Sequence, residues 1–294
     1  MPKARPLLIV DAPSLLYRAF FALPKSIKGS AGTSVNALLG SANLILREVE
    51  EHDPRAVVLC FGPDAAFYRV ELYEGYHAAR PPVPDELAPQ FDAAPAFFAE
   101  FGWYSEISED HEADDVMGSL AVAEEKAGGE ALILTGDRDM YQCVTKQVKV
   151  LYLKTGVRGG ELVDTAEVKR RYGVPPQRVP DFIALRGDPS DGLPGAKGIG
   201  EKTAADLLKR HGSLEAAIKG AVRERPARVS GALIDQADEL RMFKDIATLR
   251  PVKVKRPKDR ATNYKRAAKA AAEYGMGALA GRLEKAPASR SAAR

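Results

Sequence analysis

Cysteine is scarce in this sequence, with two residues among 294. Cys60 lies in VVLCF and Cys143 in YQCV, so both have apolar neighbours. This setting is typical of small buried side chains, and it argues against a disulfide framework or a cysteine-bound metal. We therefore expect two free thiols.

Long hydrophobic runs are also missing. No apolar stretch approaches the ~20 residues that a membrane-spanning helix needs. The first residues, MPKARPLLIVDAP, lack the layout of a signal peptide, because the apolar run 7–10 is short and leads directly into Asp11. We expect a cytoplasmic protein with no membrane contact.

A strong net charge is the third absence, since the formal charge is only +3. It is spread unevenly: residues 251–294 carry +9 and residues 1–250 carry −6. An acidic body with a basic C-terminal end suits a metal site acting on a polyanion, although a solvated helical face with a loose tail fits equally well. The length and the hydrophobic content of 45% are those of a soluble globular protein with one large domain or two ordinary ones.

The sequence does contain an alternation of short apolar runs and amphipathic segments. It predicts strands at 7–10, 56–61, 132–135 and 148–153, and helices at 15–20, 34–51, 85–101 and 114–127. In the last helix, we expect Val116, Leu120 and Val122 to face a core. Such alternation favours an α/β fold with a mainly parallel sheet covered on both faces.

Two groups of acidic residues lie close to these elements. Glu112, Asp114 and Asp115 open the helix at 114–127, while Asp137 and Asp139 follow the strand at 132–135. Residues two apart in an extended chain project to the same side, so the second pair is expected to face one point. Ligands bind past the carboxyl ends of strands in open α/β sheets, and we expect both groups to meet there.

Converging carboxylates repel each other unless a cation lies between them, and oxygen ligands favour a hard divalent ion. Each group alone also has an ordinary explanation. Acids are favoured at helix N-termini, and an Asp-Arg-Asp sequence after a strand can form a turn. For either group alone the two explanations carry about equal weight; together the groups favour a metal site.

Residues 67–91, FYRVELYEGYHAARPPVPDELAPQF, mix cationic and aromatic side chains with prolines that forbid one long helix. On a mobile segment near an acidic site, such side chains suit single-stranded nucleic acid, because they pair phosphates and stack on bases. Tyr68, Tyr73 and Tyr76 at near-helical spacing are also ordinary core residues. The segment by itself leaves both explanations open.

A glycine-rich turn occurs within residues 180–212, PDFIALRGDPSDGLPGAKGIGEKTAADLLKRHG. Three glycines lead into a helix that begins near Glu201, and such a turn offers free backbone N–H groups to a phosphate. A Walker A loop is excluded because Glu201 precedes Lys202-Thr203 and no strand comes before the turn. We expect a helix–hairpin–helix clamp that contacts duplex DNA without reading bases.

With these segments the chain resembles the bacterial 5′-to-3′ exonuclease and flap endonuclease family, which includes the N-terminal nuclease domain of DNA polymerase I. The matching segments occur in the family's order over nearly the whole chain: IVDAPSLLYRAF, FYRVELYEGYHAARPPVP, EADDVMGSLA, LTGDRDMYQ and GDPSDGLPGAKGIGEKTA. Since no polymerase domain follows, we expect a free-standing member.

The resemblance implies a PIN-like (resolvase-like), mainly parallel α/β sheet flanked by helices, with a helical arch and a helix–hairpin–helix subdomain. The expected divisions are a nuclease core at 1–175 with the arch at about 67–91, a helix–hairpin–helix region at 176–255, C-terminal helices on the core at 256–285 and a disordered tail at 286–294. The C-terminal helices are expected to break at Gly275.

The resemblance also implies the site residues. The metal-binding acids correspond to Asp11, Glu112, Asp114, Asp115, Asp137, Asp139, Asp188 and Asp191. Catalytic positions near the scissile phosphate correspond to Arg18, Tyr76, His77 and Arg80. DNA contacts correspond to Arg69, Gly195, Lys197, Gly198, Gly200 and Lys202. The implied cofactors are two or more Mg²⁺ or Mn²⁺ ions, with K⁺ at the hairpin.

Two positions depart from the family pattern. Relatives usually have Asp where this chain has Gly62, and Asp64 is a candidate replacement. They also usually have Lys where this chain has His77. A lysine supplies permanent charge, whereas a histidine is mostly neutral at pH 7.

The expected function is a metal-dependent 5′-3′ exonuclease and flap endonuclease, which hydrolyses DNA phosphodiesters in primer or flap removal and repair. The expected partners are DNA with 5′ ends, flaps or junctions and RNA–DNA hybrids, bound by a monomer at the nucleoid. An alternative is a weak or inactive DNA-structure-binding protein of the same fold, because of Gly62 and His77. A PIN-like ribonuclease fits the acidic sheet but not the GAKGIG turn.

Overall fold

A six-stranded sheet forms the centre of the computed structural model, which describes residues 5–154 and 159–286. Its strands are β1 (Leu7–Asp11), β2 (Ala56–Phe61), β3 (Tyr104–Ile107), β4 (Ala131–Thr135), β5 (Val148–Leu153) and β6 (Gly160–Val163). Their order across the sheet is β3-β2-β1-β4-β5-β6. The first five strands run parallel, and β6 is antiparallel to β5.

The described residues form thirteen α-helices. They are α1 (Ala12–Ala22), α2 (Asn36–His52), α3 (Phe67–Leu72), α4 (Ala88–Ala99), α5 (Ala113–Lys126), α6 (Thr165–Tyr172), α7 (Val179–Arg186), α8 (Glu201–His211), α9 (Leu214–Gly220), α10 (Ala227–Asp235), α11 (Ala237–Ala247), α12 (Tyr264–Glu273) and α13 (Gly277–Glu284).

The central strand β1 is apolar along its whole length because helices cover both faces of the sheet. Leu7 and Ile9 belong to one hydrophobic core, with α5 and the helices α6 to α11. Leu8 and Val10 belong to the other core, with α1, α2, α4, α12 and α13. Successive side chains of a strand point to opposite faces, so one apolar strand serves two cores.

The predicted fold class is correct. The strands predicted at 56–61 and 148–153 have their predicted bounds, and β1 and β4 are each one residue longer than predicted. The strands β3 and β6, which lie at the two edges of the sheet, were not predicted from the sequence. Their sequences, YSEI and GELV, are only partly buried and contain no apolar run.

The prediction that Val122 faces a core is wrong. Val116 and Leu120 are buried, but Val122 is 48% exposed. Helical periodicity explains the difference, since a residue six positions after Val116 lies well outside the face that Val116 and Leu120 share.

After α11 the chain runs without helix or strand through residues 250–263 and then forms α12 and α13, which are separated at Gly275. Ala267 and Ala271 of α12 are buried in the second core. Of the tail predicted at 286–294, residues 287–294 lie outside the described residues. Cys60 and Cys143 are both free, as predicted. In the described part of the chain, no helix has the length and apolarity to cross a bilayer.

Candidate metal centre and nucleic-acid interface

The candidate site begins where β1 and β4 end side by side. Asp11 is the last residue of β1 and is 5% exposed. Its Oδ1 accepts the N–H of Ser14 at 3.1 Å, and its Oδ2 accepts the hydroxyl of Thr135, the last residue of β4, at 2.6 Å. These bonds fix the Asp11 carboxylate at the edge of the sheet.

Asp137 and Asp139 follow β4 in a turn, not in the extended conformation that the sequence analysis assumed. The Asp137 N–H binds the hydroxyl of Thr135 at 2.9 Å, and Oδ1 of Asp137 accepts the Asp139 N–H at 2.8 Å. Asp139 begins a 3-10 turn that ends at Cys143. Although the predicted local geometry is wrong, the two carboxyl groups are close enough for the charge of Asp137 to raise the pKa of Asp139.

The N-terminus of α5 brings Glu112 and Asp114 to the same place. Burial, then the charges of Asp137 and Asp11, raise the pKa of Asp114 well above its ordinary value. Glu112 lies at the margin with its oxygens already bound: Oε1 accepts the Ala66 N–H at 2.7 Å, and Oε2 accepts the Tyr76 hydroxyl at 2.9 Å.

Asp115 is not brought into this cluster, although the resemblance implied that it is a metal ligand. It is fully buried, and both oxygens accept two hydrogen bonds each. The donors are the Arg69 Nη1 and Nη2 at 3.0 and 2.9 Å, the Tyr68 hydroxyl at 2.8 Å and the Arg250 N–H at 2.8 Å. With all four acceptor positions used, Asp115 joins α5 to the Arg69 segment and to the backbone at Arg250.

Arg69, which the resemblance implied to be a DNA contact, has a buried position in this structure. Its side chain is 3% exposed, and its Nε donates to the Ile246 carbonyl at 3.0 Å. Nη1 lies 3.1 Å from Oε1 of Glu112. A guanidinium group enclosed by Asp115, Glu112 and a backbone carbonyl cannot reach a phosphate. The sequence analysis placed Arg69 on the arch but had no signal for the buried acid that it pairs with.

Asp188 and Asp191 approach from the loop after α7. Oδ2 of Asp188 accepts a hydrogen bond of 2.8 Å from Nη2 of Arg186. Oδ1 of Asp191 accepts a hydrogen bond of 3.1 Å from Nη2 of Arg80. The same oxygen lies 3.2 Å from Nε2 of His77. The charges of both aspartates raise the pKa values of Asp137 and Asp139, which places all four near one another.

We call six carboxylates the acidic cluster: Asp11, Asp114, Asp137, Asp139, Asp188 and Asp191. Burial is the largest cause of the raised pKa of Asp11, and burial followed by the charge of Asp191 raises the pKa of Asp137 to about 7. Asp114 and Asp137 keep part of their surface exposed, so the cluster lies in a recess that is open to solvent. A recess of mutually repelling carboxylates is a site for a cation.

The donor set and its spacing fit a hydrated hard ion. Among the described residues, the one set of three potential ligands within 4.8 Å of one another lies elsewhere, at Glu48, Glu51 and His52. The oxygens of the acidic cluster are therefore spaced more widely than a closely packed set of ligands. Mg²⁺ commonly keeps several waters and binds through one or two carboxylates, so all-oxygen ligands at this spacing fit it.

Gly62, one of the two positions where the resemblance led us to expect a different residue, is enclosed by backbone. A Cβ at this position would lie 2.4 Å from the His111 carbonyl oxygen and 2.7 Å from the Ala113 nitrogen. The start of α5 therefore packs directly on the end of β2. Asp64 does not replace the missing acid in the cluster: it is exposed, and its Oδ1 pairs with Nη1 of Arg80 at 3.0 Å.

The segment from Phe67 to Arg80 lies against the acidic cluster. The Tyr76 ring is stacked on the His77 ring at 3.9 Å, and both residues are buried. Nδ1 of His77 lies 2.6 Å from the Asp64 carbonyl oxygen, and Nε2 faces Asp191. Both ring nitrogens of His77 thus lie within hydrogen-bonding distance of oxygen atoms.

Arg18, on α1, reaches the same end of the sheet from the other core. Its Nη2 donates to the Leu153 carbonyl at 2.5 Å. Its Nε is buried and has no hydrogen-bond partner in the described structure. A Cβ on Gly136 would lie 3.1 Å from Nη2, so the guanidinium group is next to the turn that carries Asp137.

The hairpin loop, residues 187–200, joins α7 to α8. Leu193 and Ile199 are buried, whereas Lys197, Gly198 and Gly200 are exposed. Gly195 has a φ of 68°, and a Cβ there would lie 2.3 Å from the Gly187 nitrogen, so the two sides of the loop touch through backbone. The loop is held by buried apolar residues and presents a glycine-lined edge to solvent.

This exposed edge leads directly into α8. A Cβ on Gly198 or Gly200 would meet no atom within 4 Å, and Lys202 on the first turn of α8 is exposed. Gly200 precedes the helix without a side-chain cap, so the first N–H groups of α8 are free. Free N–H groups, the helix dipole and two lysines suit a phosphate group.

Some residues that shape the site carried no signal in the sequence analysis. They are Ser14, Thr135, Arg186 and Arg250. Thr135 and Ser14 adjoin named acids in the sequence and could have been considered for that reason. Arg250 lies 135 residues from Asp115, and only the folded structure brings them together.

Two family descriptions match the chain. The description "5′-3′ exonuclease, N-terminal resolvase-like domain" covers residues 6–173, and "5′-3′ exonuclease, C-terminal SAM fold" covers residues 174–268. A 5′-3′ exonuclease of Mycobacterium tuberculosis is 35% identical over 314 residues, which cover 96% of this chain and 97% of that protein.

The thermostable DNA polymerase I of Thermus thermophilus is 40% identical over 249 residues, which cover 85% of this chain and 29% of the polymerase. A solved structure of the bacteriophage T5 flap endonuclease, in a pseudo-enzyme-product complex with DNA and metal ions, has a TM-score of 0.69 at 17% identity and covers 96% of this chain and 97% of that one. This likeness is one of fold. The two family matches together span residues 6–268, and the chain belongs to the 5′-3′ exonuclease family.

Proposed function

We propose that this protein is a structure-specific 5′ nuclease that hydrolyses DNA phosphodiesters by metal-ion catalysis, as a 5′-3′ exonuclease and flap endonuclease. The observation that carries the proposal is the meeting of six carboxylates at the carboxyl ends of β1 and β4, where burial and then the neighbouring acidic charges raise the pKa values of Asp114, Asp137 and Asp139. The same structure contains the glycine-lined hairpin loop, to which we assign phosphate binding.

The acids divide into ion-holding and supporting groups. Asp11, Asp114, Asp137, Asp139, Asp188 and Asp191 hold the ions, with Glu112 at their margin. Asp115 supports them by fixing α5 through Arg69. When bound, Mg²⁺ or Mn²⁺ lowers the pKa of a bound water and neutralises the charge that develops on the phosphate. The carboxylates supply ligand oxygens and do not themselves attack.

Cationic groups beside the acids position the scissile phosphate. Arg18 has a buried Nε with no hydrogen-bond partner in the described structure, and Arg80 is partly exposed at the edge of the cluster. Both carry a planar set of donors that suits a phosphate. Arg80 and His77 both contact Asp191, and in this proposal a bound metal ion and a phosphate replace these contacts.

The hairpin loop binds the duplex part of the substrate. Gly198 and Gly200 leave room for a sugar–phosphate backbone, and Lys197 and Lys202 add charge. These contacts do not depend on base identity, which suits a nuclease that recognises structure. A K⁺ ion at the loop would add to the same phosphate contacts.

The substrates we propose are DNA with 5′ ends, flaps or junctions, together with RNA–DNA hybrids at primers. The T5 flap endonuclease of similar fold was solved with DNA and metal ions, which supports DNA and divalent metals here. The protein acts as a monomer in the cytoplasm, at the nucleoid. The second candidate, a DNA-structure-binding protein with little activity, draws its support from Gly62 and from His77.

The two candidates separate in one assay. A flap duplex labelled at its 5′ or 3′ end is incubated with the protein in Mg²⁺, in Mn²⁺ or with EDTA. Metal-dependent release of products near the junction of single strand and duplex is the expected result. Tight, flap-dependent binding without cleavage in either metal would instead establish the binding protein.

A further inference from the structure

A second group of potential metal ligands lies at the C-terminal end of α2, outside the acidic cluster. Glu48, Glu51 and His52 each offer one ligand atom, and these atoms lie within 4.8 Å of one another. The spacing i, i+3, i+4 places the three side chains on one face of the helix. Glu48 is buried, His52 is half-buried and Glu51 is exposed, so the group reaches from the interior to solvent.

Glu48 is the unusual member. It is 1% exposed, and its Oε1 accepts the N–H of Gly160, the first residue of β6, at 2.9 Å. Its Oε2 is buried and has no hydrogen-bond partner in the described structure. Burial raises the pKa of this carboxyl. A buried carboxylate oxygen without a hydrogen bond is costly, and a cation beside it removes the cost.

The position of His52 fits a shared ion better than a direct hydrogen bond. Its Nε2 lies 3.3 Å from Oε2 of Glu48, yet the two atoms do not form a hydrogen bond. Two ligands at about 2.0–2.2 Å from one tetrahedral ion are separated by about 3.3 Å. Glu51 is exposed and free to turn towards the same point.

We propose that Glu48, Glu51 and His52 bind one divalent ion of the zinc class, with water as the fourth ligand. Imidazole nitrogen with carboxylate oxygen is a donor set that zinc accepts, whereas the acidic cluster offers oxygen alone. Because Oε1 of Glu48 is bound to Gly160, the ion would fix the end of α2 against β6. This site is separate from the proposed nuclease function and does not depend on it.

The number of zinc ions bound per chain tests the proposal. Equilibrium dialysis followed by metal analysis gives the bound Zn²⁺ per chain for wild type, Glu51→Gln and His52→Asn, without DNA. Glu50→Gln is the matched control, because Glu50 is an exposed acid of the same helix outside the group. Both test variants should lose one equivalent that wild type and the control retain. Asp139→Asn should keep this equivalent.

Co²⁺ gives a second measurement that reports the ligands themselves. Tetrahedral Co²⁺ with a histidine ligand absorbs visible light more strongly than Co²⁺ in an octahedral set of oxygens. Wild type and Glu50→Gln should show the stronger band, and His52→Asn should lose it. Equal zinc counts in wild type and His52→Asn, or an unchanged cobalt band, would overturn the proposal and leave His52 as a simple charged partner of Glu48.

Discussion

Arg69 and Asp115 form a buried, bidentate ion pair, in which Nη1 lies 3.0 Å from Oδ2 and Nη2 lies 2.9 Å from Oδ1. Arg69 lies on α3, Asp115 lies on α5 beside Asp114, and Nε of Arg69 is bound to the Ile246 carbonyl in α11. The pair therefore joins the arch segment, the helix that carries metal-site acids and the helices that follow the hairpin.

Replacing Arg69 should affect stability before DNA binding. Arg69→Met leaves Asp115 buried without its partner, and breaking such a pair costs about 3–5 kcal/mol. Urea unfolding measures the loss, and a filter-binding assay measures DNA affinity. The control Arg170→Met removes an exposed pair with Glu167 and should change stability by about 0–1 kcal/mol. Weaker DNA binding at unchanged stability would restore the DNA-contact role for Arg69.

Removing one charge from the acidic cluster should separate cleavage from binding. Asp139→Asn keeps the shape of the side chain but removes a charge that the ions need, so cleavage of a flap duplex should fall to background while DNA affinity is retained. Single-turnover cleavage in Mg²⁺ and a binding titration measure the two effects. Asp92→Asn, at an exposed position on α4, is the control and should cleave normally. Wild-type cleavage by Asp139→Asn would show that this acid is not a ligand.

Two glycines should respond to alanine in opposite ways. Gly62→Ala pushes a Cβ into backbone at 2.4 Å, and we expect a loss of about 1–3 kcal/mol in the free energy of unfolding. Gly200→Ala meets no atom within 4 Å and should keep its stability but bind duplex DNA more weakly, because the methyl group occupies the space for the phosphate backbone. Thermal melts and binding titrations on both variants test this. A stable Gly62→Ala would show that the contact between β2 and α5 relaxes easily.

Divalent metal should stabilise the protein more at high pH than at low pH. The pKa of Asp137 is raised from 3.8 to about 7, so the folded protein binds this proton more tightly than the unfolded chain. Its contribution to the free energy of unfolding is therefore greatest below about pH 4 and declines as the pH rises to about 7. A metal ion bound at Asp137 takes the place of the proton. The free energy of unfolding then no longer declines as the pH rises.

We accordingly expect Mg²⁺ to raise the melting temperature more at about pH 8 than at about pH 5, where protons compete for the same oxygens. Differential scanning calorimetry at both pH values, with and without Mg²⁺, measures the effect. Asp137→Asn should reduce the difference between the two pH values. A larger metal effect at the lower pH would contradict the role assigned to the cluster.

The hairpin lysines should act through charge alone. Lys197→Ala removes one exposed positive charge beside Gly198, so binding should weaken equally for duplexes of different sequence. The slope of log affinity against log salt should fall by about 1. Lys126→Ala, exposed at the end of α5, is the control and should leave the slope unchanged. A loss that depended on sequence would point to contacts with bases.

The sequence was sufficient for the four buried strands and for the acids that lie beside them, because both leave local signals. Continuous apolar runs predicted the buried strands, and Asp11 and Asp137 followed from their places at strand ends. The edge strand β6 escaped prediction, since a four-residue strand with half-buried side chains has no apolar pattern.

Hydrogen bonds and packing contacts between residues that are far apart in the sequence could not be predicted. The family pattern grouped Asp115 with the metal-binding acids, and only the fold shows that Arg69, Tyr68 and Arg250 occupy its oxygens. Gly62 could be noted as a departure from relatives, but the backbone of α5 that packs on it is not visible in the sequence.

The bond between Arg250 and Asp115 has a consequence for synthesis of the chain. The Arg250 N–H binds Oδ1 of Asp115, and the Arg250 guanidinium group lies 3.7 Å over the Tyr68 ring. A nascent chain contains all six strands and every acid of the nuclease centre well before residue 250 leaves the ribosome. Until then Oδ1 of Asp115 accepts a hydrogen bond from Arg69 alone, so the contacts that hold α5 in the nuclease centre are complete only after residue 250 has left the ribosome.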